Sequence, residues 1–404
     1  MKKYFALILL LTASTLFSGC RGTGSSAPAP TNVQVVEGDS SVTISWDMAP
    51  GVEYWIFKAA TTDLTPQSCY PLPECSIIIS AASPRVVSGL TNGTTYSFTI
   101  NGRIGGGKGG EGSPAISKVP RLAGAAWTAG TAQGTNNLYG IGFGSVFVAA
   151  GDIGALFSSS DGINWTTLSS AVTAKLNAVS YYAGTYLVAG AGGVILRSTD
   201  VAVWAQQTSG TLNDLYAVSN YGAAGYAATG AAGTILHSGD GITWTGSTPI
   251  TANPLYGVTY ANGIYVAVGA AGTLLSSVDA ASWTPLTSNT ANTLKGIAYA
   301  PPAVGTTGGG TFVAVGANGT VVRSADGGAT WAAITSPISP TAVVSSVTYG
   351  RQFIAVADDG TIFTSTDGLA WTLAQTAAAP LYAITHGLFD YTAVGASGLN
   401  MHSM

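Results

Sequence analysis

The sequence predicts an all-β fold, a ring of seven four-stranded sheets preceded by a smaller β-sandwich. Three observations predict it. Tryptophan recurs at Trp127, Trp165, Trp204, Trp244, Trp283, Trp331 and Trp371, with gaps of 38, 39, 40, 39, 48 and 40 residues. Each gap holds the same succession of short apolar, β-branched runs and glycine-rich turns. The chain has 54 glycines among 404 residues and only 8% charged residues, which suits tightly turned, close-packed sheets. A period near 40 residues with this strand content is that of a β-propeller, one four-stranded blade per repeat.

Residues 255–283, LYGVTYANGIYVAVGAAGTLLSSVDAASW, show the unit. LYGVTY alternates large and small residues, as a strand covered on both faces does. ANG is a turn, and IYVAVG is an apolar run of buried-strand length. GAAG reverses the chain, TLLSS is the third strand, and Trp283 is expected to begin the fourth. Equivalent first strands start at Leu138, Leu176, Leu215, Leu255, Leu294, Val344 and Leu381. The fifth unit is longer, with its extra residues in PPAVGTTGGG at 301–310, an enlarged loop.

The turn before each tryptophan carries the sharpest motif. It reads SSDGINW at 159–165, STDVAVW at 198–204, SGDGITW at 238–244, SVDAASW at 277–283, SADGGATW at 324–331 and STDGLAW at 365–371. An aspartate here can accept hydrogen bonds from backbone amides just ahead of it and so pin the hairpin. This S-x-D-(x)-G-x-T-W pattern resembles the Asp-box, or bacterial neuraminidase repeat. The unit as a whole, over 123–404, resembles the propellers of photosystem II stability/assembly-factor type. The resemblance implies a structural role for Asp161, Asp200, Asp240, Asp279, Asp326 and Asp367, and for the paired Trp165, Trp204, Trp244, Trp283, Trp331 and Trp371.

The last unit stops before any such turn. Its missing outer strand is expected from AAWTAG at 125–130, so that the two ends of the array close the ring and leave no open edge. Upstream, residues 31–120 form a second all-β region. Trp46 sits on an early core strand, and SGLTNGTTYSFTI at 88–100 sets Leu90 and Tyr96 around a turn. This resembles a fibronectin type III domain with its tyrosine corner. Cys69 and Cys75 flank one loop of it and are expected to form a disulfide, with a reduced pair or a metal site as the alternative.

Residues 1–20 read as an export signal, with Lys2 and Lys3 ahead of an apolar stretch too short to span a bilayer. FSGC at its end resembles a lipobox, which implies lipidation of Cys20; an ordinary cleaved signal is the alternative. Arg21 follows, with no aspartate to mark inner-membrane retention. Residues 21–30 then read as a flexible tether with a reach of roughly 17 Å. The expected location is a bacterial cell envelope, lipid-anchored at the outer membrane.

The formal net charge is −4, and the ring region carries 11 Asp, no Glu and five Lys plus Arg. That balance argues against nucleic acid, which needs a basic stripe. No metal-ligand spacing, nucleophile elbow or arginine triad is present, so neither a metal nor a cofactor is expected. The residues after each first-strand start are Tyr139, Asn177, Tyr216, Tyr256, Lys295, Ser345 and Tyr382. They stand at equivalent places near the central opening. Either they form a binding rim or the tyrosines pack between blades. The leading expectation is a non-catalytic protein-binding or assembly scaffold. A glycan-binding adhesin is the alternative, and a sialidase-like glycan hydrolase a weaker one.

Overall fold

A computed structural model describes residues 24–221, 225–303, 305, 307–388 and 390–403. Cys20 and the expected signal segment lie outside the described residues. The chain divides into two compact units, one closing at Pro120 and the other opening at Arg121, with residues 38–40 grouped with the second.

The first unit is a two-layer sandwich. One sheet is built on the nine-residue strand Tyr96–Ile104, which pairs along one edge with Val52–Ala59 and thence Ser76–Ala81. The other sheet contains Gln34–Gly38, Ser41–Ser45 and Arg85–Ser88. Val42, Ile44, Trp46, Tyr54, Ile56, Phe98 and Ile100 fill the space between the layers. Trp46 meets Tyr54 edge-on, with ring centroids 5.8 Å apart. The Tyr96 hydroxyl accepts a hydrogen bond from the Thr91 amide at 3.2 Å, which ties the turn at 91–94 to the long strand. A short helix, Pro66–Cys69, covers Phe57 and Leu64 on the far face, and a Cys69–Cys75 disulfide closes its loop.

One expectation is corrected here. Residues 21–30 do not act throughout as a flexible tether, because Ser25–Ala27 forms a strand antiparallel to Gly102–Ile104. Main-chain pairing, together with burial of Ala27, overrides the Ser/Pro-rich composition that read as a linker.

The second unit contains, among the described residues, seven four-stranded antiparallel sheets. The fourth is representative, with Leu255–Ala261, Ile264–Gly269, Leu274–Ser277 and Thr284–Pro285 in order. The tryptophan stands one residue ahead of each fourth strand and does not begin it; in six sheets the amides gathered by the turn aspartate run up to the residue before the tryptophan. The seventh sheet takes its fourth strand from Thr128–Ala129, which pairs with Met401 and His402.

Seven apolar clusters each span two consecutive sheets. Val148 and Leu156 of the first sheet pack on Leu176, Tyr186 and Trp204 of the second. Ala383 and Val394 of the seventh pack on Leu138, Phe147 and Phe157 of the first, so the ring is closed. Within a sheet, an aromatic on the second strand meets the tryptophan, as in Tyr265–Trp283 at 6.3 Å and Phe312–Trp331 at 6.0 Å. At Tyr186 and Tyr265 the hydroxyl of that aromatic also reaches the preceding sheet. Tyr186 donates to the Val146 carbonyl at 2.7 Å and Tyr265 to Gly225 at 2.9 Å.

Two predictions follow from this packing. Tyr265→Phe leaves a buried carbonyl unpaired, so chemical denaturation is expected to show a loss of about 1–2 kcal/mol. His402, buried in the closing sheet, contacts Thr392 Oγ1 at 3.2 Å, and burial holds its pKa down to about 4 despite the nearby Asp161. The unfolded chain therefore takes up this proton first, and stability is expected to fall as pH drops from about 6.5 towards 4. The total loss is on the order of 2–3 kcal/mol. Thermal melts of the His402→Gln variant are expected to lose that part of the pH dependence.

Candidate functional site

The first strand of every ring sheet carries a β-bulge at the same place. In the first sheet Leu138 pairs with Gly151 and Gly140 with Ala150, so Tyr139 has no partner across the ladder. The same shift isolates Asn177, Tyr216, Tyr256, Lys295, Ser345 and Tyr382 in the other six sheets. A bulge re-aims the extra side chain. Here all seven bulged residues line one central cavity of about 390 Å³.

The residues just after the bulge are small: Gly140, Ala178, Ala217, Gly257, Gly296, Ser346 and Ala383. They let neighbouring inner strands approach. A Cβ on Gly140 would lie 2.7 Å from the Ala178 Cα. The bulge thus separates two demands, a narrow backbone ring and large side chains at its opening.

The large side chains are organised in pairs across sheet boundaries. Tyr139 stacks on Tyr382 with centroids 5.1 Å apart and an interplanar angle of 21°. Tyr216 meets Tyr256 at 5.2 Å. Lys175 Nζ lies 3.5 Å from the Tyr139 ring centroid, and Lys295 Nζ lies 3.4 Å from that of Tyr256. Asn177 Nδ2 donates to the Leu215 carbonyl of the next sheet at 2.8 Å. The tyrosines therefore do both things considered from the sequence: they pack between neighbouring sheets and border the cavity.

The electrostatics of the opening are uneven. Burial, then the Lys175 charge, pushes the Lys295 pKa down from the ordinary lysine value. Burial raises that of Tyr216, with help from Asp214 and Tyr256. Tyr382 is raised by burial, then by Tyr139, Asp358 and Asp152. Those aspartates do not line the cavity. Asp214 accepts from the Gly192 amide at 2.9 Å and Asp358 from the Val343 amide at 2.8 Å. Among the described lining residues there is no Asp, Glu, His or Cys, and Lys295 is the one charged side chain. Among the described residues no group of three or more His, Cys, Asp or Glu is placed to hold a metal ion.

The six turn aspartates lie elsewhere, between third and fourth strands. In the first sheet Ser159 Oγ donates to Asp161 Oδ1 at 3.0 Å, and the Ile163 and Asn164 amides donate to the same oxygen at 2.9 and 2.8 Å. Asp200, Asp240, Asp279 and Asp367 repeat this arrangement. Asp326 adds a 2.5 Å bond from the Thr330 hydroxyl, and that bond, then the Thr330 amide and the Ser324 hydroxyl, lower its pKa to about 2. The tryptophan closes the turn from below: Trp204, Trp283, Trp331 and Trp371 each donate Nε1–H to a carbonyl three residues back. None of these aspartates lines the central cavity.

The seven equivalent positions named from the sequence line one cavity; the bulge that presents them and Lys175 were not foreseen from the sequence. The signal was a large residue between an apolar strand start and a glycine or alanine, repeated in six of the seven units, with Ser345 in its place in the sixth.

No protein family matches the chain, and no curated protein sequence matches it. Solved structures do resemble it. YCF48 from Cyanidioschyzon merolae aligns at 19% identity with a TM-score of 0.55, covering 69% of this chain and 98% of that one. YCF48 bound to D1 peptide aligns at 16% identity with a TM-score of 0.56, covering 68% and 94%. This likeness shows the fold of the ring, a β-propeller.

Asp326→Ala is expected to destabilise the chain by about 1 kcal/mol, the usual effect of losing a side-chain cap on free amides. In the parent chain this carboxylate's contribution is full above about pH 4 and lost as pH falls through about 2. Urea denaturation of parent and variant across that range checks both.

Proposed function

We propose that the chain is a non-catalytic, protein-binding or assembly scaffold of a bacterial envelope, acting through the cavity of a seven-bladed Asp-box propeller. The carrying observation is the set of bulged residues. Seven separate sheets each release one side chain from the ladder, and all seven line the same opening. Aromatic, amide and ammonium groups in a concave site suit recognition by contact. The lining lacks the paired carboxylates that glycosidic cleavage uses. The resemblance to a peptide-bound YCF48 supports a protein partner, since the fold is one on which a peptide has been captured.

In this reading Cys20 carries the lipid that holds the chain at the outer membrane. The first unit is a fibronectin type III spacer, whose Tyr96 corner and Trp46 core fit that assignment. The six Asp-box aspartates are structural. A second reading, glycan binding, is favoured by the number of tyrosines at the opening, Tyr139, Tyr216, Tyr256 and Tyr382, whose rings and hydroxyls border the cavity.

The full-length lipidated chain, used as bait in envelope extracts, is expected to recover one stoichiometric protein. Recovery should drop at least tenfold with a Tyr139→Ala/Tyr382→Ala variant and persist with Asp326→Ala. Undiminished recovery by the tyrosine variant, or turnover of a glycan panel by the purified chain, would overturn the proposal. Tyrosine-dependent retention of a glycan without turnover would select the second reading.

A further inference from the structure

We propose that the central cavity receives a carboxylate, presented by an acidic peptide segment, between Lys295 and Lys175. This rests on the reading of the cavity as a protein-binding site and adds the chemistry of what enters it.

Lys295 lines the cavity, where its ammonium group lies on the face of Tyr256. Lys175 is held the same way by Tyr139, whose ring borders the same space. Neither lysine is in an ion pair among the described residues. An aromatic face attracts an ammonium group but accepts no strong hydrogen bond from it, so each keeps N–H donors to offer. The two positive charges also act on each other across the opening. A single anion between them would satisfy the donors and relieve that repulsion.

The surrounding carboxylates do not already play this part. Asp214 and Asp358 are engaged by backbone amides, and Asp152 lies at 3.5 Å from the Tyr139 hydroxyl. All three lie outside the cavity lining. Two further groups favour a peptide over a free anion. Asn177 spends its amide N–H on Leu215 and keeps its carbonyl oxygen to accept from a peptide amide. Ser345 stands on the one sheet whose bulge carries a small side chain, leaving a gap in the belt of large residues for the chain to pass.

The test is isothermal titration calorimetry on the full chain with three probes: an end-blocked Gly–Glu hexapeptide, its Gly–Gln counterpart, and succinate. The Glu peptide is expected to bind, more weakly at high salt. Lys295→Met and Lys175→Met should each weaken it at least tenfold, with Lys295→Arg restoring most of the loss and all variants melting near the parent. The Gln peptide should not bind. Equal binding of the Gln peptide, indifference to both Met variants, or no binding of the Glu peptide would overturn the proposal. Succinate binding as tightly as the peptide would also overturn it, in favour of a free small anion. If these fail while tyrosine-dependent recovery of a protein persists, only the carboxylate falls; if that recovery fails too, the protein-binding reading falls with it.

Discussion

Each four-stranded sheet of the ring is apolar on both faces, and only a neighbouring sheet can cover either one. That requirement governs everything else in the second unit. Seven clusters, each shared by two sheets, meet it, and the seventh-to-first cluster through Val394, Leu138 and Phe147 leaves no face bare. The strand Thr128–Ala129 completes the last sheet from the front of the array, so the closing contact is made by residues far apart in the chain. Tyrosine hydroxyls such as that of Tyr265 fasten one sheet to the hairpin of the one before, where apolar packing alone would fix no exact height. His402 lies in this closing region, so the seam responds to protonation.

Much of this architecture was legible because it is local and repeated. The tryptophan spacing, the S-x-D turns and the V-A-V-G runs each encode structure within a single unit, so a period of roughly 40 residues exposes them. What escaped the sequence was of another kind. The strand Ser25–Ala27 is made by pairing with a distant partner, and nothing in a Ser/Ala/Pro stretch announces that partner. The placement of Trp one residue outside the fourth strand depends on how many amides the aspartate gathers. The bulge at Tyr139 depends on register against Gly151 and Ala150, which alternation of large and small residues does not specify. Lys175 was overlooked because it precedes the strand start, and only the fold lays it on Tyr139.

The two recurrent acidic and aromatic sets divide their labour cleanly. The turn aspartates spend their oxygens on amides and hydroxyls of their own hairpins: Asp161 and Asp326 engage both, and Asp200, Asp240, Asp279 and Asp367 gather two backbone amides and a serine hydroxyl at Oδ1. They hold the periphery. At the centre the arrangement is reversed: the bulged residues stand outside the strand ladder, and their side chains meet ring faces, a carbonyl of the next sheet or, at the Tyr139 hydroxyl, Asn137 and Asp152. Rigidity is concentrated at the rim of each sheet and chemical availability at the axis.

The bulge has a consequence for how such a chain diversifies. A residue outside the pairing of strands can be exchanged without breaking a ladder bond, and here there is one in each of seven sheets. The opening is therefore a seven-letter word written on an invariant page. Descendants of one ancestral ring need only respell it, one letter at a time, to acquire new ligands while inheriting an unaltered architecture.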